Sequence, residues 1–190
     1  MDEITVCIPN LNASITLPAC LEALNFQEIE PIKAIVFDNG SFDGSVELIE
    51  ARIKNNWFKK VNLSILKQTE REGGKTVNIA FLRYKICQAV TTPYLMFLDA
   101  DVLLPPHAIL PCLKKVKADE KLACLGIRYE PLADHVQMGA TVWRTEIARQ
   151  VKWMWDARGC DCRSALRHLD EAGLKYCYHE GLQARHVKII

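Results

Sequence analysis

Apolar runs and helical spacings alternate along the first half of the chain. Ile4 to Pro9 is an apolar, β-rich run, which reads as a strand. Leu17, Cys20, Leu21 and Leu24 recur at helical spacing and predict a helix over Ser14 to Asn25, with Pro18 tolerated in its first turn. Ile32 to Asp38 reads as a second strand. Val46, Leu48, Ile49 and Ile53 mark a second helix, with Asp43 or Ser45 available to cap it. Val61 to Leu66 is the third strand, Lys75 to Ala89 the third helix, and Tyr94 to Leu98 the fourth strand. This β-α-β-α-β-α-β order predicts an α/β fold with a largely parallel, doubly wound sheet. Such sheets bind ligands at the carboxyl ends of their strands. Three polar strand ends therefore form the candidate edge: Pro9-Asn10, Asp38-Asn39-Gly40 and Asp99-Ala100-Asp101.

After Pro105-Pro106 the pattern changes. A helix is predicted over His107 to Lys117, then two β-like runs, Leu122 to Tyr129 and Val136 to Trp143. A Trp-containing connector (Val151 to Trp155), a helix over Arg163 to Ala172 and a last strand, Lys175 to Tyr178, follow. This half reads as an α+β lobe that completes a site.

Bulk properties narrow the picture. A chain of 190 residues fits one domain. It can bury about 70% of its unfolded surface without staples. The net charge of +1 argues against broad attraction to nucleic acid or anionic membrane. The opening MDEITVCIP lacks the pattern of a secretory leader, and no run approaches about 18 apolar residues, so the expectation is a soluble, cytoplasmic protein. Cys7, Cys20, Cys87, Cys112 and Cys124 lie inside apolar patterns and are expected as reduced, buried thiols. Cys160, Cys162, Cys177 and His179 have zinc-binding chemistry. Their spacing lacks the usual two-to-four-residue knuckle, so ordinary packing is expected for them.

Asp99 and Asp101, one residue apart at the end of an apolar strand, admit three explanations. A helix cap accounts for one acid, but Val102-Leu103-Leu104 and two prolines separate both from the next helix. A P-loop NTPase is suggested by Gly74-Lys75-Thr76 and the strand ending at Asp99. The wrapping glycine of that loop is replaced by Thr69, however, and Glu70 and Glu72 stand where phosphates would lie. In the third explanation Asp99 binds a ribose hydroxyl and Asp101 a divalent cation on a nucleoside diphosphate. Hard oxygen ligands suit Mg²⁺ or Mn²⁺, which would neutralise charge on the leaving diphosphate.

The segments VCIPNLN (6–12), LPACLEALNFQ (17–27), FDNGSFDGS (37–45), GGKTVN (73–78) and YLMFLDADV (94–102) follow the order seen in glycosyltransferases of the GT-A fold. The chain most resembles the inverting family 2, well over residues 3 to 105 and loosely beyond. The resemblance implies one Rossmann-like GT-A domain over residues 1–190. Residues 1–105 would form its nucleotide-sugar half, and residues 106–190 its acceptor-binding and catalytic half. It implies a metal-dependent transfer of a sugar from a nucleoside diphosphate sugar, a UDP-sugar by preference, to an acceptor hydroxyl with inversion. Pro9, Asn10 and Asn12 would line the base and ribose pocket, with Asp38 accepting from the base. Asn39 stands where the family more often has a second Asp, and Gly40 shapes the turn. Lys75 would approach phosphate, and Asn78 matches the family's helix asparagine. Asp99, Ala100 and Asp101 form the DXD motif. His186 would join Asp101 on the metal, favouring Mn²⁺ over Mg²⁺.

The family takes its general base from an acidic motif before a helix ending in Gly. CDCRSALRHLDEAGLKY (160–176) has that shape, with Asp161 as the base and Asp156 in reserve. Asp161 is equally well placed as the N-cap of that helix. HVQMGATVWRTEIARQV (135–151) matches the stretch where the family binds the acceptor, so Trp143 would stack on it and Arg144 anchor it, although core packing suits Trp143 nearly as well. Trp153 and Trp155 flank the candidate base as an acceptor wall. Two other readings stay open. One is a nucleotidyltransferase of related fold, although PNLNAS lacks that family's Gly-rich basic loop. The other is a non-catalytic nucleotide-sugar-binding module that has lost its base.

Overall fold

The computed structural model describes residues 3–68, 79–154 and 160–187. Its strands are β1 (Ile4–Asn10), β2 (Ile32–Asp38), β3 (Val61–Lys67), β4 (Tyr94–Leu98), β5 (Val102–Leu103), β6 (Leu122–Arg128), β7 (Ala140–Arg144), β8 (Lys175–Gln183) and β9 (Arg185–His186). Its helices are α1 (Leu17–Leu24), α2 (Ser45–Lys54), α3 (Ile79–Ala89), α4 (Ile109–Ala118), α5 (Thr145–Gln150) and α6 (Asp161–Glu171). Residues 69–78, with Lys75 and Asn78, and residues 155–159, with Trp155 and Asp156, lie outside the described residues.

Seven strands form one mixed sheet in the order β3-β2-β1-β4-β7-β6-β8. β7 runs antiparallel to both of its neighbours, β4 and β6; the other pairings are parallel. Strands from both halves of the chain thus share one sheet. α1, α2 and α4 pack on one face, where Leu21, Ile49 and Ile109 meet Ile8, Met96 and Leu98. α3, α5 and α6 pack on the other, where Ile86, Ala148 and Leu166 meet Cys7, Leu95 and Phe97. Covering both faces explains why β1 and β4 read as continuous apolar runs rather than alternating ones. β3 and β8 lie at the two sheet edges and alternate.

The chain leaves β1 in one direction to reach β2 and comes back on its other side as β4. This change of direction opens a crevice at the carboxyl ends of β1 and β4, where open α/β sheets place their ligands. A two-stranded ribbon, β5 paired antiparallel with β9, closes one side of the crevice. The register Val102↔His186 sets His186 beside the acidic strand end. No helix among the described residues is long and apolar enough to cross a membrane.

Two local expectations differ from the structure. The N-cap of α2 is Gly44, at φ 83°, rather than Asp43 or Ser45. Asp43 acts from one position earlier, its Oδ1 accepting the Ser45 N–H at 3.0 Å and its Oδ2 the Ser14 N–H at 2.7 Å. The N-cap of α6 is Cys160, so Asp161 is the first helical residue and not the cap.

Candidate active site

The crevice is a cavity of about 540 Å³ lined by Pro9, Asn12, Asp99, Ala100, Asp101 and His186, among others. β1 delivers Pro9, β4 the DXD turn, and the ribbon His186. Six of the residues expected to bind the nucleotide sugar or the metal therefore meet in one space.

Asp99 and Asp101 do not face the same partners. A backbone bond from the Val102 N–H to the Asp99 carbonyl, at 3.0 Å, folds the strand end into a tight turn. Asp99 turns towards the sheet, where its Oδ1 accepts from Arg83 Nη2 at 3.1 Å. Burial pushes the Asp99 carboxyl up, Arg83 pulls it down and the Asp101 charge pushes it up again; the balance is upward. Asp101 turns towards the ribbon, its Oδ2 lying 3.0 Å from His186 Nε2. The other ring nitrogen of His186, Nδ1, lies 3.0 Å from the Glu130 carbonyl oxygen. A carbonyl only accepts, so Nδ1 carries a proton; Nε2 meets the carboxylate oxygen either as a second N–H donor or, in a neutral ring, as a lone pair. Two acceptors facing each other at that distance need a proton or a cation between them. A carboxylate oxygen with an imidazole nitrogen is a donor set that fits Mn²⁺.

Behind the cavity wall, Asn10, Asp38 and Asn39 are buried. The structure revises the role expected of Asp38. Its Oδ1 accepts from Asn10 Nδ2 at 2.7 Å and from the Ser41 hydroxyl, and its Oδ2 accepts the Gly40 and Ser41 N–H groups, both at 3.1 Å. Each oxygen already holds two donors, which fills a carboxylate's capacity. Asp38 therefore organises the turn, and a base N–H would have to displace one of these bonds. Gly40 holds φ 78° within that turn, a region that favours glycine. Asn12, at φ 53°, links the turn to the cavity: its N–H donates to Ser41 Oγ at 2.9 Å and its Oδ1 accepts the Phe42 N–H at 2.9 Å.

Residues 5–171 match the family model "Glycosyl transferase family 2". The chain belongs to glycosyl transferase family 2. It is similar to the teichoic acid poly(glycerol phosphate) polymerase of Staphylococcus epidermidis, at 32% identity over 115 residues, which is 60% of this chain and 15% of that protein. Its fold is that of a mannosyltransferase from Pyrobaculum calidifontis, solved with GDP-mannose and Mn²⁺. The TM-score is 0.80 at 16% identity, over 97% of this chain and 56% of that one. TarS 1-349 of Staphylococcus aureus, solved with UDP-GlcNAc, gives a TM-score of 0.73 at 12% identity, over 100% of this chain and 59% of that one. The family 2 chain thus spans between about a seventh and three fifths of the length of these proteins. The GT-A, Rossmann-like α/β fold expected from the sequence is the fold observed.

Of the expected acceptor residues, Trp143 and Arg144 are not in the crevice, and Trp155 lies outside the described residues. Trp143 is fully buried, packed edge-on against Phe97 and Trp153 with ring centroids 6.4 and 5.5 Å away, so it cannot stack on an acceptor. Trp153 is itself buried in that cluster. Arg144 pairs with Tyr94, the first residue of β4, and so sits at the opposite end of the sheet from Asp99. Its guanidinium binds backbone carbonyls there, Leu122 at 3.3 Å and Asp119 at 3.1 Å. β7 is antiparallel to β4, so its last residues lie far from the carboxyl edge.

Asp161 is buried and pairs with Arg83, whose Nε donates to its Oδ2 at 2.7 Å. Its Oδ1 receives only the weak Cys162 thiol contact at 3.7 Å among its side-chain bonds in the described residues. Arg83 is the functional candidate that sequence reasoning missed. It is buried, crosses the face of Phe97 at 4.8 Å and joins Asp99 to Asp161. Its Nη1 finds no acceptor among the described residues. Gly139 was also missed. Its carbonyl accepts the Asp99 N–H at 2.8 Å, and a Cβ there would overlap Asp99 Oδ2 and the Tyr129 hydroxyl.

Proposed function

We propose that the chain is a divalent-metal-dependent glycosyltransferase that moves a sugar, with inversion, from a nucleoside diphosphate sugar to an acceptor hydroxyl. The observation that carries this is the Asp101–His186 pair at the mouth of the same cavity as Asp99 and Pro9. Asp101 and His186 would hold Mn²⁺, or Mg²⁺ with less contribution from the imidazole. The bound cation supplies Lewis-acid neutralisation of the leaving diphosphate. Asp99 receives a ribose hydroxyl, and Pro9 and Asn12 wall the nucleoside. Asp161 acts as the base, taking the acceptor proton on Oδ1, while Arg83 fixes the carboxylate through Oδ2. Both halves act as one domain, since the second half supplies Asp161 and His186. UDP is the favoured nucleotide by family resemblance. Five buried thiols, Cys7, Cys20, Cys87, Cys112 and Cys124, suit a reducing compartment and support a cytoplasmic location.

A thermal-shift panel of UDP-, GDP- and dTDP-sugars with and without Mn²⁺ tests the reading. One nucleotide should stabilise the chain only when metal is present, because ligand bound to the native state raises apparent stability. Asp101→Ala should abolish the metal requirement together with the shift. Asp161→Asn should keep the shift and lose transfer. Absence of a shift with every donor would remove the proposal.

A further inference from the structure

Beside Asp161, and outside the residues that line the cavity, the chain brings together three side chains that no step of sugar transfer uses. His135 lies in the loop between β6 and β7, and Cys160 and Cys162 flank Asp161 at the start of α6. One ligand atom from each lies within 4.8 Å of the other two. Cys160 Sγ is 3.4 Å from His135 Nε2. The second ring nitrogen, Nδ1, is 2.8 Å from Asp134 Oδ1, and both Asp134 oxygens accept from Arg163 Nη2, at 2.7 and 2.8 Å. A carboxylate only accepts, so Nδ1 carries the proton and the Nε2 lone pair is aimed at the thiols. This is the outer arrangement that orients metal-bound histidines: a carboxylate fixes the tautomer and is itself hydrogen-bonded. All three candidate ligands are half-buried, shielded from bulk water yet reachable.

We infer that His135, Cys160 and Cys162 bind a thiophilic divalent cation, zinc by preference, which fastens the β6–β7 loop to the start of α6. Two thiolates and an imidazole select zinc, whereas the hard carboxylate site at Asp101 suits Mn²⁺ or Mg²⁺. Zn–S bonds of about 2.3 Å and Zn–N bonds of about 2.0 Å place neighbouring ligand atoms about 3.5–3.8 Å apart in a tetrahedron. The Cys160–His135 sulfur–nitrogen separation of 3.4 Å already meets that requirement, and the third ligand atom lies within 4.8 Å of both. Three protein ligands leave the fourth position to water, as in exchangeable rather than closed sites. The zinc chemistry seen in the sequence is thus assigned to different partners. Cys177 is exposed on β8, and neither it nor His179 joins the cluster; the imidazole comes from His135 instead. Its two cysteine ligands flank Asp161 in the chain, so the bound metal would act as a positioning element for the residue that pairs with Arg83.

Titration of the full chain with Co²⁺ in a phosphine reductant, followed by displacement with Zn²⁺, reads this site directly and independently of transfer activity. One equivalent of Co²⁺ should produce the thiolate charge-transfer absorption. Cys160→Ser and Cys162→Ser should each abolish it, and Asp134→Asn should weaken binding by about 10–100-fold. Cys177→Ser and Asp101→Ala should leave it unchanged. A native chain without the absorption would overturn the inference. So would an absorption that survives the paired Cys160→Ser, Cys162→Ser substitution, or one lost in Asp101→Ala.

Discussion

Replacing Arg83 by Met should destabilise the fold more than removing either of its partners. Met keeps an unbranched apolar stem but deletes the charge and the guanidinium that lies over Phe97. The Arg83 side chain is 3% exposed and that of Asp161 8%, so Arg83→Met strands a carboxylate out of reach of water. Removing one partner of a buried pair costs about 3–5 kcal/mol, because the charge left behind is uncompensated. The second pair contributes less: the Asp99 side chain is 32% exposed towards the cavity, and an ion pair open to solvent is worth up to about 1 kcal/mol. The buried pair therefore sets the scale. For a chain of this size each kcal/mol moves Tm by about 2–4 °C, so the melting point should fall by about 10 °C. Asp161→Leu placed on top of Arg83→Met removes the stranded charge, and such apolar replacement of a whole pair is often neutral. The double variant should recover most of the loss. Thermal denaturation of the wild type, both single variants and the double variant closes a mutant cycle that isolates the coupling. An Arg83→Met variant melting within about 2 °C of wild type would refute the argument. A double variant no more stable than Arg83→Met would refute it as well.

Gly139→Ala should displace the Asp99 carboxylate and the Tyr129 hydroxyl, at a cost of about 1–3 kcal/mol of overpacking. Chemical denaturation measures the cost, and donor-induced stabilisation should shrink in parallel. For Asp43, burial opposes ionisation, but hydrogen bonds from Ser45 and Ser14 outweigh it and hold the carboxyl at about 2. A folded-state value below the unfolded value of about 4 gives stability that is present above that pH and lost as pH falls towards 2. Asp43→Asn should therefore flatten the decline of Tm over that window, and an unchanged acid limb would show that Asp43 takes no part in it.

The strands that build the site were legible because their patterns follow from where they lie. β1 and β4 are covered on both faces, so they read as unbroken apolar runs, and parallel topology then places their polar ends on one edge. The positions that misled owe their place to strand direction. Trp143 and Arg144 end a strand just as Asp99 does, yet β7 is antiparallel, so the end of that strand points away from the crevice. Nothing in residues 136–144 announces that reversal. Arg83 was invisible for another reason. An arginine inside a helix reads as solvated, and its partner Asp161 lies 78 residues away. The same distance argument applies to His135, which joins Cys160 only after β6, β7 and α6 have packed.

The reversal of β7 also explains why the acidic strand end needs both halves of the chain. A parallel neighbour would bring another carboxyl end to the crevice. An antiparallel one brings its start, and with it Gly139, whose carbonyl takes the Asp99 N–H and whose missing side chain makes room for the Asp99 carboxylate. On the other side of the turn, the Val187 N–H donates to the Asp101 carbonyl at 2.8 Å and seats His186 against the Asp101 side chain. The backbone of the DXD turn is thus held once by β7 and once by the β9 segment, on opposite sides. Two acids a single residue apart are driven in different directions by these two anchors. Asp99 is committed to Arg83, and Asp101 to the His186 imidazole. A change that loosens the ribbon should therefore impair the response to metal before it alters Asp99, whereas a change at Gly139 should do the reverse.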